Sequence, residues 1–103
     1  MSRPPIELRS DQRHDANIPG RCRTGTGYEC FVTVTDLSAS GCGLRGNWVG
    51  LSPGQRVTLS NAEGLSASGI LRWCTHRTAG VQFDTRLSPQ TVNRLTKAYP
   101  ARA

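Results

Sequence analysis

A chain of 103 residues has room for one domain and one modest core, which excludes a large multidomain enzyme. With 36% hydrophobic and 19% charged residues it is not disordered by composition, and no run approaches the roughly 20 apolar residues that a membrane helix requires. Basic residues outnumber acidic ones 13 to 7, a net charge of +6, and all the basic residues but Lys97 are arginine. Arginine presents a planar fork of donors suited to phosphates and purines. GC-rich coding produces the same bias, so composition alone does not choose a partner. The opening MSRPPIELRS lacks the apolar stretch of a secretory signal, and a cytoplasmic location is expected. Without export, the four cysteines (Cys22, Cys30, Cys42 and Cys74) read as small buried residues; no zinc-type spacing joins them or the two histidines, and no cofactor is expected.

Residues 1–16 are polar, with Pro4, Pro5, Arg3, Arg9 and Arg13, and show no strand or helix period beyond a brief helical stretch near Glu7 to Gln12. They are expected to form a flexible N-terminal arm. From residue 17 to residue 99 the chain changes to short alternating runs bounded by turn residues, the pattern of a compact all-β domain. The expected strands are Asn17 to Thr24, Tyr28 to Thr35, a short piece around Cys42 and Leu44, Gln55 to Ser60, Leu65 to Cys74, and Thr78 to Asp84. In the fifth, Leu65, Ala67, Leu71 and Trp73 share one parity, and Gly69 signals a bend or a close backbone approach. A helix over about 88–99 comes next: Ser88 is a good N-cap, Pro89 fits the first position, Val92, Leu95 and Tyr99 form an apolar stripe, and Pro100 ends it, leaving a tail of 100–103. Six short strands can close into an antiparallel barrel, which removes exposed edges, with the helix covering one end or side.

Two clusters carry chemistry. Arg9 and Arg13 form an R-x-x-x-R pair on the arm. Asp36, Ser38 and Gly41 form a D-x-S-x-x-G segment directly after the strongest strand, with 22 residues (14 to 35) between the clusters. A carboxylate at a strand end can accept from guanine N–H groups, while arginines can bond guanine O6 and N7 in pairs or stack on purines. Gly41 and Gly43 remove Cβ atoms from the loop, and the serines supply hydroxyls. Nothing resembles a metalloprotease, nucleophile-elbow or P-loop motif, so an enzyme is not expected.

At these residues the chain resembles the PilZ domain family, bacterial receptors for cyclic di-GMP. The resemblance runs from about Arg9 to Tyr99, and includes Gly69-Ile70-Leu71-Arg72-Trp73 and Gly80-Val81-Gln82-Phe83 as the last two strands. It implies a six-stranded antiparallel barrel with a C-terminal helix. It also implies that Arg9 and Arg13 swing over the ligand while Asp36, Ser38 and Gly41 form its floor, with Trp73 near a guanine. Leu8 stands where many members carry a further arginine. The reading is a single-domain second-messenger receptor that changes conformation on binding and signals through an unidentified protein partner. The alternatives are a nucleic-acid-binding small barrel and a PilZ-like adaptor without nucleotide.

Overall fold

A computed structural model describes residues 12–101. Six strands, β1 (His14–Thr24), β2 (Glu29–Leu37), β3 (Gly41–Gly46), β4 (Arg56–Ser60), β5 (Ser66–Cys74) and β6 (Thr78–Phe83), precede one helix, α1 (Pro89–Ala98). The strands close into an antiparallel barrel in the order β1-β2-β3-β6-β5-β4, with β4 returning to β1. The expected fold class is therefore correct. Alternation explains it: in β4 Val57 and Leu59 are buried while Arg56, Thr58 and Ser60 are exposed, and in β1 Ile18 and Cys22 point inward between exposed Pro19, Arg21 and Arg23. Ile18, Val34, Leu37, Leu44, Leu59 and Leu71 fill the interior. Burial pushes the Cys22 thiol up to about 12 and raises that of Cys42 as well, which keeps both protonated at neutral pH.

Gly69 shows why a residue without a side chain stands in mid-strand. A Cβ there would run into the backbone carbonyl of Gln82 on β6, so β5 and β6 approach as the sequence suggests. The Ser88 side chain accepts the Thr91 N–H at 3.1 Å, Pro89 opens α1, and Val92 and Leu95 are buried against the barrel. The helix end is tied to β1: Tyr99 accepts the Asn17 N–H at 2.9 Å, and Ala16 and Pro100 form a bridge. Trp48, in the β3–β4 connection, is buried and donates its indole N–H to the Thr75 carbonyl at 2.9 Å.

Two details differ from the periodicity. The strand expected from Asn17 begins at His14, because β1 continues to pair with β2 as far as His14 opposite Leu37. The pairing register also shifts at three places. Register shifts fall between Asp15 and Ile18 on β1, between Val34 and Asp36 on β2, and between Leu71 and Trp73 on β5. Each is a bulge with an extra residue on one strand; on β2 and β5 it reverses the parity of the residues beyond it, whereas the inward set of β1 stays in step from Ala16 to Thr24. Val32 and Val34 point inward, and the bulge at Thr35 sends Leu37 inward and Asp36 outward. The bulge at Arg72 likewise turns Trp73, expected on the parity of Leu71, out of the barrel, where it is 50% exposed.

Candidate ligand-binding site

The re-aimed side chains fall on one line. Asp36 pairs with Gly43, Gly43 with Gly80, and Gly80 with Trp73, a single cross-strand row over β2, β3, β6 and β5. At strand spacings of about 4.8 Å the row is about 14 Å wide. Its two middle positions carry no side chain, so the outer two fold over them. A Cβ on Gly43 would lie 2.8 Å from Asp36 Oδ2, and one on Gly80 would fall inside the Trp73 indole. The result is a flat floor with a carboxylate at one side and an aromatic face at the other.

Asp36 is held from two directions. Its Oδ1 accepts the Gly43 N–H at 3.1 Å and pairs with Arg13 Nη1. The Asp36 side chain is 28% exposed and that of Arg13 58%, so the pair stands at the surface with unused donors on the guanidinium. Arg13, Gly41 and Trp73 line a cleft of about 240 Å³ together with Ser40, Arg72 and Gln82. The arginine motif and the loop motif, far apart in sequence, therefore meet at the cleft. Arg9 lies outside the described residues.

Ser38 occupies a different place from the one its hydroxyl suggested. It is fully buried, and its Oγ accepts the N–H groups of Ser40 and Gly41 at 3.3 and 3.2 Å and lies 3.2 Å from the Gly41 carbonyl, to which it donates. The hydroxyl closes the turn from within. The turn's outer carbonyls are used too: Ser40 accepts from the Phe83 N–H and Ala39 from the Leu87 N–H, both at 2.8 Å. Gly41 is also structural, since a Cβ there would strike the Val81 carbonyl on β6. Ser38→Ala should leave two N–H groups without their acceptor and cost about 1–3 kcal/mol. Thermal unfolding followed by circular dichroism measures this; an unchanged Tm would contradict the bracing role.

Sequence reading missed Gly80, Arg72 and Gln82. Only Gly80 left a usable signal, a glycine inside an apolar strand; its place beside Trp73 depends on the β5–β6 register.

Comparison with known proteins agrees with the geometry. A family profile described as PilZ domain matches residues 7–99, and the chain belongs to the PilZ domain family. Among solved structures it is similar to K. pneumonia MrkH bound to c-di-GMP, with a TM-score of 0.59 and 18% identity over 95% of this chain and 50% of that one. MrkH in its apo state gives a TM-score of 0.57 and 21% identity over the same shares of the two chains. The chain thus spans half the length of MrkH. A search of curated proteins finds no match. No helix among the described residues is long and apolar enough to cross a membrane.

Proposed function

We propose that this domain is a cyclic di-GMP receptor, and the observation that carries the reading is the Asp36–Gly43–Gly80–Trp73 row with Arg13 standing over its acidic side. Asp36 Oδ1 is occupied by internal partners, which leaves Oδ2 to accept from a guanine N1–H or N2–H. Arg13 keeps donors for a phosphate or for guanine O6 and N7, and Arg9 supplies a second fork from the same arm. Trp73 offers its open face to a purine. Ser38 and Gly41 act one step back by fixing the turn that carries Asp36. The family's known role is binding rather than catalysis, and no reaction is assigned to the domain.

Closing the arm over the ligand fixes backbone at a cost of roughly 1–2 kcal/mol per residue, so several charge-assisted bonds must form together. The closed arm then presents a new surface, through which binding would be read by a partner protein. Calorimetric titration of the full chain with cyclic di-GMP, GMP and a single-stranded oligonucleotide tests the reading. Saturable binding of the cyclic dinucleotide alone is expected. Oligonucleotide binding with a steep salt dependence would transfer the site to the nucleic-acid class. Absence of any binding would leave the adaptor role.

Trp73 gives an independent readout, because the other tryptophan, Trp48, is buried. Tryptophan emission should change on adding cyclic di-GMP, and the change should vanish in Trp73→Phe. Trp73→Ala should weaken binding about tenfold, given the roughly 1–3 kcal/mol of a base–aromatic stack. An undiminished emission change in Trp73→Phe would remove the indole from the site.

A further inference from the structure

A second surface lies on the outward face of β1, β2 and β3. Phe31 is opposite Arg21 across the β1–β2 pair and is 75% exposed, with the Arg21 guanidinium 5.2 Å from its ring centroid. One side-chain layer further along, Pro19, Thr33 and Arg45 are aligned across the three strands. Two hollows flank the Phe31 ring. One, of about 630 Å³, reaches from Phe31 to Arg45 and Arg77; the other, of about 430 Å³, reaches to Asn61 and Glu63.

The charges on this face are unevenly matched. Arg21 and Arg23 share Glu29 at 3.8 Å, whereas Arg45 and Arg77 form no salt bridge with any described residue. Among the described residues, the larger hollow therefore has two guanidinium groups without a carboxylate partner at one side, an exposed aromatic ring at the other, and no carboxylate in its lining. Because the barrel is closed, it has no free strand edge to pair with an incoming strand, and a visitor must be held by side chains. Aromatic and arginine side chains together are the combination enriched at the energetic centres of protein interfaces.

We propose that this face docks an acidic segment of a partner protein, with an apolar side chain seated against Phe31 and Pro19 and carboxylates on Arg45 and Arg77. Charge complementarity selects that occupant. A nucleic-acid strand fits less well. The face carries one ring where stacking platforms carry several, and that ring already has Arg21 against it. The surface does not use the Asp36 row, so the proposal stands apart from the nucleotide reading.

Selection of a random peptide display library on the immobilised full chain tests it, followed by fluorescence anisotropy with the selected peptides and with a labelled oligothymidylate. The selected pool should be rich in Asp and Glu beside aliphatic or aromatic residues. Its peptides should bind Phe31→Ala, and the double variant Arg45→Ala with Arg77→Ala, at least about tenfold more weakly than the parent. Asp36→Ala should bind them like the parent, and circular dichroism should show all variants folded. No enrichment, a pool without acidic bias, equal binding by folded Phe31→Ala, or tighter binding of the oligothymidylate would overturn the proposal.

Discussion

Asp36→Ala should abolish cyclic di-GMP binding at concentrations that saturate the parent domain, a loss of more than about 100-fold. The carboxylate does three things at once. It holds Arg13, accepts the Gly43 N–H, and leaves Oδ2 clear of both, the oxygen proposed to meet the ligand. Hydrogen bonds to charged groups contribute about 1.5–3 kcal/mol each, and losing two corresponds to roughly two to four powers of ten in affinity. Asp36→Asn separates the roles, because an amide oxygen still accepts from Gly43 but no longer forms an ion pair with Arg13. It should fold like the parent and bind at least about tenfold more weakly. Arg13→Ala should resemble it. Calorimetry on the three variants, with Tm recorded beside each, checks the ordering. Parent-like affinity in Asp36→Ala would remove the row from the binding site.

Gly41→Ala should damage the fold before it damages binding. The new Cβ would press on the Val81 backbone carbonyl, which is held in the β3–β6 ladder and cannot swing aside as a flexible side chain could. Overpacking of this kind costs about 3 kcal/mol at the upper end of its usual range. For a domain of this size that is a fall in Tm of roughly 10–25 °C. Differential scanning calorimetry without ligand is the direct measurement. If Gly41→Ala kept its Tm and lost only affinity, the glycine would be serving ligand access instead of strand approach.

The sequence made the elements legible because their causes are local. Alternation in β4 and β5, the Ser88–Pro89 start of α1 and the turn glycines each depend on a few neighbouring residues. The outward aim of Asp36 and Trp73 was not legible in the same way. Period-two reasoning puts Asp36 with Val34 and Trp73 with Leu71, and a one-residue bulge reverses both. Nothing in the local pattern marks Thr35 or Arg72 as the extra residue. Ser38 misled for a related reason: a serine in a turn reads as a solvent-facing hydroxyl, yet its bonds to the backbone of Ser40 and Gly41 draw it inward. The meeting of Arg13 with Asp36 was implied by the family resemblance, while the glycine floor between Asp36 and Trp73 emerged only from the strand order of the closed barrel.

The bridge between Ala16 and Pro100 has a practical consequence. It brings the segment after α1 to within three residues of Arg13, which directly precedes β1 and is paired with Asp36. On the proposed receptor reading, a fluorophore attached just beyond Pro100 should therefore report cyclic di-GMP binding optically, and a bulky purification handle joined there should weaken it.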